Sequence, residues 1–271
     1  MNNKKVLLTH SFKGGTGKTV LAINIAYYLA KNHKCKILYI DGDLLAPSLE
    51  KVIPPSFDDI GDKTWPDYLD GKYDQVEDVI FETEHKNFDV IYSPPPEIGK
   101  TFLSEKKMNW WVTALKKELM CRDRWFQELG YDFVMIDNQN GISMNSANNI
   151  TTSDCGFLVL RPVSYGVSGT TSLIKEMYKT IHGIRERSDY LIWNQIPRSR
   201  NKELNSKVNK LLEEWDKYFR QIKVDPIAKI YYNSDLSISM LEDPKHSILG
   251  VSDFIQNNIK DILVKSKILD S

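Results

Sequence analysis

Residues 13 to 19 read Lys13-Gly14-Gly15-Thr16-Gly17-Lys18-Thr19, three glycines flanked by lysines and closed by a hydroxyl. Glycines let a backbone wrap closely around an anion, and N–H groups at a helix N-terminus point inward at it. The Lys18 ammonium suits the β- and γ-phosphates of a nucleotide, and the Thr19 hydroxyl suits Mg²⁺. Phe12 stands where the pattern GxxxxGK[ST] has its first glycine. The assignment therefore rests on Gly14-Gly15 and on the setting between a strand and a helix. Acids form a second group. Asp41-Gly42-Asp43 follows one apolar run, and Asp137 closes another, Phe133-Val134-Met135-Ile136. An acid at the C-terminal edge of a strand can hold Mg²⁺ through water. Asp41 and Asp43 also suit turns and helix caps, which leaves two readings of that pair.

These residues need a scaffold, and short apolar runs alternating with amphipathic stretches supply one. Val6–Thr9 reads as a buried strand feeding the glycine turn. Lys18 to Lys31 then places Leu21, Ile25, Ala26 and Leu29 at helical spacing, and Lys36–Ile40 is the next strand. Strand, loop, helix, strand is a βαβ unit. Further strands are expected at Asp89–Tyr92, Phe133–Ile136, Gly156–Leu160, Tyr190–Trp193 and Ile227–Ile230. Helices are expected around Met108–Glu128, Gly169–Gly183, Glu203–Tyr218 and Val251–Ile268. Runs so short and continuous suit parallel strands covered on both faces. The fold class is α/β, a doubly wound, mainly parallel sheet with helices on both faces. Residues 54–88 read as an irregular excursion with short helices near Trp65–Leu69 and Gln75–Phe81. Pro94-Pro95-Pro96 is expected to begin an extended connection. With no repeat or long linker, residues 1–271 are expected to form a single domain.

Composition narrows the class. The chain has 271 residues, 41% of them hydrophobic and 27% charged, enough for a sizeable core. No run approaches the ~18 apolar residues that would span a bilayer, and MNNKKVLLTH carries no signal-peptide pattern. A cytoplasmic protein without an integral membrane segment is expected. Thirty-six basic residues balance 36 acidic ones, so any nucleic-acid site is a local patch. Cys35, Cys121 and Cys155 are too scattered for a disulfide framework or a zinc knuckle.

With its leading lysine, KGGTGKT resembles the deviant Walker A motif of the ParA/MinD family of P-loop ATPases. Several ParA-type members also lack the first glycine. The resemblance covers the chain from the first strand to about Ile268 and leans toward ParA-like partition ATPases. It implies ATP and Mg²⁺ as cofactors, bound along Lys13, Gly14, Gly15, Thr16, Gly17, Lys18, Thr19 and Val20. Lys13 becomes the signature lysine, catalytic together with Lys18, and acts across an ATP-dependent homodimer. Asp43 takes the place of the residue that positions the attacking water, Asp41 supports the Mg²⁺ shell with Thr19, and Asp137 is the Walker B acid. Pro47-Ser48 fits the usual continuation. Relatives often carry D-[ST]-P-x-G where this chain reads Asp137-Asn138-Gln139-Asn140-Gly141. Gly141 keeps a backbone N–H for the γ-phosphate, while the three amides depart from the pattern. Asn194, ending Leu191-Ile192-Trp193, stands where relatives pair with adenine, though Asn at a strand end is equally a turn former. Tyr231 replaces a frequent proline beside the base.

Two surfaces bear on partners. Arg198, Arg200, Lys202, Lys207 and Lys210 form a basic run suited either to non-specific DNA or to a solvated helix start. Phe254, Ile255, Ile259, Ile262 and Leu263 share one side of the last helix, whose polar side mixes acids and lysines. Packing on the sheet is preferred there over a MinD-like membrane-surface helix. Met108-Asn109-Trp110-Trp111 opens a helix bearing Leu115, Leu119 and Trp125, read as core rather than as a partner surface. No CxxC or paired histidine points to a metal cluster. The expected activity is ATP hydrolysis coupled to DNA partition, with nucleoid association and a small DNA-binding partner protein that stimulates hydrolysis. A nucleotide-binding regulator with negligible hydrolysis is the alternative, favoured by the three amides.

Overall fold

Alternation along the strands sets the layers of this protein. In β1 (Lys5–His10), Leu7 joins the core on one face of the sheet while Val6 and Leu8 join the core on the other. The same division recurs in β2 (Ile37–Gly42), with Ile37 and Tyr39 against Leu38 and Ile40. A computed structural model describes residues 4–55, 60–242 and 244–270, without the side chains of 240–254. The remaining strands are β3 (Phe81–Glu82), β4 (Phe88–Ile91), β5 (Phe133–Asn138), β6 (Cys155–Leu160), β7 (Ser188–Ile196) and β8 (Asp225–Tyr231). They form one sheet in the order β3-β4-β2-β5-β1-β6-β7-β8. All neighbours are parallel except β3 and β4. The mainly parallel, doubly wound architecture is that of a P-loop NTPase.

Helices Lys18–His33 and Pro244–Lys265 cover one face, with Leu21, Ile25 and Leu29 meeting Ile255, Ile259, Ile262 and Leu263. The last helix is thus packed on the sheet over its described side chains; Asp253 and Phe254 lie outside them. On the other face lie Met108–Asp123, Ser164–Leu173 and Lys202–Gln221, which contribute Ala114, Cys121, Leu173, Leu212 and Phe219 to one core with Trp65, Trp125 and Trp193. No described helix is long and apolar enough to cross a membrane.

The expected excursion at 54–88 holds the helix Trp65–Leu69, a 3₁₀ turn at Val76–Val79 and β3; residues 56–59 fall outside the description. The proline run departs from expectation. Pro95 is extended (φ −51°, ψ 150°), but Pro96 begins a helix, Pro96–Glu105. Proline suits the first helical position because its missing N–H has no intrahelical partner there. A helix at Met144–Thr152 was also unexpected. Its Asn, Ser and Thr residues are poor helix formers. Ser143 starts it by accepting the Ser146 N–H at 3.0 Å.

Candidate functional site

Parallel register gathers the chemistry at one edge. Thr9 of β1 and Asp41 of β2 both stand opposite Asp137 of β5, at the strands' C-terminal ends. The glycine turn leaves β1 at this level, with Gly15 at φ 75° and Gly17 at φ 82°. Gly17 caps the helix Lys18–His33, and a Cβ there would lie 2.4 Å from Asn194 Nδ2. Both the backbone conformation and the close approach therefore require glycine.

Asp137 is the centre. It is buried and accepts from Lys18 Nζ at 2.6 Å, Thr19 Oγ1 at 2.6 Å and Thr9 Oγ1 at 2.8 Å. Lys18 is itself buried. Asp41 accepts three backbone N–H groups, from Asp43, Ser48 and Leu49, each at 3.1 Å. Asp43 accepts from the N–H groups of Leu45 (3.2 Å) and Ala46 (3.0 Å). Both acids thus shape the turn after β2, the alternative that the sequence left open, while remaining near Lys18 and Asp137. Burial, with Asp137 adding to it, pushes Asp41 up to about 7. Burial also raises Asp43 against the pull of Lys18.

Asp137 on the Lys18 ammonium, with the buried acids Asp43 and Asp41 close by, makes an acid-rich, oxygen-donor set that fits a divalent cation. Thr19 and Asp137 are the side chains suited to hold Mg²⁺. Among the described residues no cluster of three or more His, Cys, Asp or Glu forms an all-protein metal cage. Mg²⁺ shared between one or two carboxylates and substrate phosphates does not need one. The turn also contains Thr16 Oγ1, buried and without a hydrogen-bond partner among the described residues.

The segment after β5 is tied back to the turn. Gly141, at φ 77°, donates its N–H to Ser11 O at 2.9 Å, and Ser11 Oγ donates to Asn140 Oδ1 at 2.5 Å. The Gly141 carbonyl faces His10 Nε2 at 2.9 Å. A carbonyl only accepts, so Nε2 carries the proton and Nδ1 accepts from Tyr178 Oη at 3.0 Å. Burial drives the His10 pKa down to about 3, which keeps the ring neutral. The unusual amides are engaged as well. Asn138 Oδ1 accepts from Asn149 at 2.9 Å, and Asn145 Nδ2 donates to Gly42 O at 2.9 Å and to Gln139 Oε1 at 3.3 Å. They join the ends of β2 and β5 to the helix Met144–Thr152.

Asn194 donates from Nδ2 to Thr16 O at 2.8 Å. Beside it opens a cavity of about 300 Å³ whose lining includes Gly17, Val20, Leu21, Asn194, Gln195 and Tyr231. Lys13 is exposed, with Nζ 4.6 Å from the centre of the Tyr165 ring. The basic run stands apart on the surface. All five of its side chains are exposed, Lys207 pairs with Glu203 at 2.8 Å, and Arg198 stacks 3.9 Å from the Tyr231 ring. Motif reading passes over Thr9, His10, Tyr165, Tyr178 and Gln195; the end of β1, just before the turn, is the available signal for the first two. A larger cavity of about 420 Å³ lies at the start of β7 among His182, Arg187 and Asp189. Arg187 and Asp189 already neutralise each other there at 2.7 Å, and no sequence motif leads to it.

A glycine turn over a buried Lys–Asp–Thr cluster, on a parallel sheet of this order, defines a P-loop nucleotide-binding protein. Residues 4–190 match the AAA_31 family, an AAA domain, and the chain belongs to that family, with a fold shared with the ParA/MinD group of P-loop proteins. It is 33% identical over 138 residues to an uncharacterized ATP-binding protein of Methanocaldococcus jannaschii. The match covers 49% of this chain and 43% of that protein, so less than half of the relative's length is spanned. Among solved structures, the septum site-determining protein MinD of Pyrococcus horikoshii, complexed with Mg-ADP, is 21% identical with a TM-score of 0.66. The alignment covers 97% of this chain and 96% of that one. Apo McdA of Cyanothece gives a TM-score of 0.72 at 17% identity, covering 96% and 99%. A plasmid partition protein of Borrelia burgdorferi gives 0.64 at 21% identity, covering 94% and 99%. At such identities the likeness is one of fold.

Proposed function

We propose that this chain is a Mg²⁺-dependent ATPase that dimerises with ATP and hydrolyses it to ADP and phosphate to drive DNA partition through non-specific DNA binding. The observation carrying the nucleotide reading is the Asp137 cluster, with Lys18 and Thr19 each 2.6 Å away beneath the glycine turn. In this reading the N–H groups of residues 14–19 bind the phosphates, and Lys18 leaves Asp137 to neutralise the γ-phosphate. Mg²⁺ at Thr19 and Asp137, with Asp41 behind them, would offset further phosphate charge. Asp43 orients the attacking water, and Lys13 reaches a second copy across the shared nucleotide. The exposure of Lys13 supports that last assignment, since an arm held only by a ring face is free to move. The exposed basic run and the packed last helix support DNA over a membrane surface. Kinship in fold with a plasmid partition protein supports the same choice, as does the nucleotide in the MinD structure for the cofactor. A stimulating DNA-binding partner and nucleoid association belong to this proposal.

One observation favours a second reading, a nucleotide-holding regulator with negligible hydrolysis. The Gly141 N–H, expected at the γ-phosphate, is engaged by Ser11 O, and a phosphate contact requires that bond to open. Single-turnover hydrolysis of Mg-ATP, with and without DNA, separates the two. The expected result is turnover in the wild type, and in Asp43→Ala a variant that binds ATP without hydrolysing it. Wild-type turnover in Asp43→Ala would move the water-positioning role elsewhere. No turnover in either protein would favour the regulator.

A further inference from the structure

β7 does not end as a regular strand. Its pairing with β8 slips between Trp193 and Ile196, so Asn194 and Gln195 form a bulge. Gln195 sits there at φ 54°, a left-handed conformation that crowds a Cβ against the backbone. Lys34, Asn87, Lys223 and Lys267 share a positive φ, but they lie at helix ends and turns. Among the described residues Gln195 is the only non-glycine in that conformation inside a strand. Glycine would hold the position without strain, so the side chain is retained against a backbone cost.

Successive residues of a regular strand face opposite ways. The bulge instead turns two adjacent carboxamides toward the phosphate turn: a Cβ on Gly17 would lie 2.4 Å from Asn194 Nδ2 and 3.3 Å from Gln195 Nε2. The two amides do different work. Asn194 is buried, and its Nδ2 is engaged by the Thr16 carbonyl at 2.8 Å. The Gln195 carboxamide has no hydrogen-bond partner among the described residues. It lines the 300 Å³ cavity together with the apolar Val20, Leu21 and Ile230.

We infer that Gln195 reads the nucleobase and selects adenine over guanine, an inference that rests on the phosphate-loop reading above. A carboxamide presents one donor and one acceptor side by side. Adenine offers the complementary pair on its N6/N7 edge, the N6–H₂ donor beside the N7 acceptor. Guanine offers two acceptors at O6 and N7, which suit Arg or Lys. Against that O6/N7 edge of guanine the Gln195 oxygen would face another acceptor. Asn194 then holds the loop in shape, and Gln195 supplies the base specificity.

The test is calorimetric titration of the full chain with Mg-ATP and Mg-GTP, in the wild type, Gln195→Gly and Lys18→Ala, beside thermal melts. The wild type should bind ATP at least about tenfold more tightly than GTP, as a bidentate pair provides. Gln195→Gly should keep triphosphate binding, lose most of that ratio and melt no lower than the wild type, because glycine relieves the strained φ. A merely structural side chain would leave the ratio unchanged. An unchanged ratio in Gln195→Gly, or no preference in the wild type, overturns the inference while the phosphate site stands. Failure of the wild type to bind either nucleotide, or binding undiminished in Lys18→Ala, overturns the phosphate-loop reading and takes this inference with it.

Discussion

Asp137 holds together residues drawn from distant places in the chain, and that gives Lys18 a structural role beside the phosphate contact proposed for it. Its ammonium neutralises a fully buried carboxylate at 2.6 Å. Removing one member of such a pair leaves an uncompensated charge, a loss of about 3 kcal/mol or more. Lys18→Ala should therefore abolish ATP binding and also lower the melting temperature by several degrees. Lys18→Met combined with Asp137→Asn should recover most of the stability and none of the binding, read by thermal melts and calorimetry on the same samples. Recovery of binding in the double variant would remove Lys18 from the phosphate site. The motif residues were legible because their spacing is local: a turn and a helix start fit within seven residues. Thr9 and His10 were not. Thr9 matters because parallel register sets it opposite Asp137, 128 residues away, and His10 because it meets the carbonyl of Gly141.

At the scale of elements, the helix Met108–Asp123 shows where periodicity misleads. Leu119 and Met120 would be buried on hydropathy, yet both are exposed, and Glu118 is buried at 1%. Trp111, Ala114, Cys121 and, just beyond the helix, Trp125 set the phase, and Glu118 shares their stripe. It packs at the helix Met144–Thr152, where Thr152 Oγ1 donates to Oε2 at 3.0 Å; Oε1 has no partner among the described residues. Burial pushes its carboxyl up to about 8 from an ordinary 4.5. An acid with a raised folded pKa is protonated when folded and ionised when unfolded between those two values. Stability therefore falls as pH rises from about 4.5 to about 8 and levels off above. Glu118→Gln keeps the shape and removes the proton cost. It should raise stability by about 3 kcal/mol at pH 7, more at pH 8 and little at pH 4.5. Urea denaturation across that range measures it, and a pH-independent gain would place the proton elsewhere. The strands were legible from continuous apolar runs. Met144–Thr152 was not, because Asn145, Asn148, Asn149, Ser146 and Thr152 fill the stripe that apolar side chains normally mark.

Over the whole molecule, the two sides of the sheet bear on the choice between DNA and a membrane as the surface on which the proposed ATPase would cycle. A membrane-inserting helix must free its apolar side, yet Ile255, Ile259, Ile262 and Leu263 are locked into the core beside Leu21, Ile25 and Leu29 of the helix Lys18–His33. The basic run has no such commitment. Arg200, Lys202 and Lys210 are exposed and have no described acidic partner, while Lys207 is paired with Glu203. Arg198 differs, since it stacks on Tyr231, which lines the 300 Å³ cavity beside the glycine turn. For every phosphate contact that a substitution abolishes, the salt dependence of DNA affinity should fall by about one unit of log–log slope. Replacing Arg200, Lys202 and Lys210 with alanine should therefore weaken binding to every duplex about equally and flatten the slope by up to about three. Arg198→Ala should leave that slope nearly unchanged and weaken ATP binding instead. DNA binding should require ATP, because two copies in one assembly double the phosphate contacts. Fluorescence anisotropy on a random duplex over a salt series measures both effects, beside sedimentation with anionic liposomes. ATP-dependent binding to liposomes with none to DNA would transfer the cycle to a membrane and require the last helix to leave the sheet.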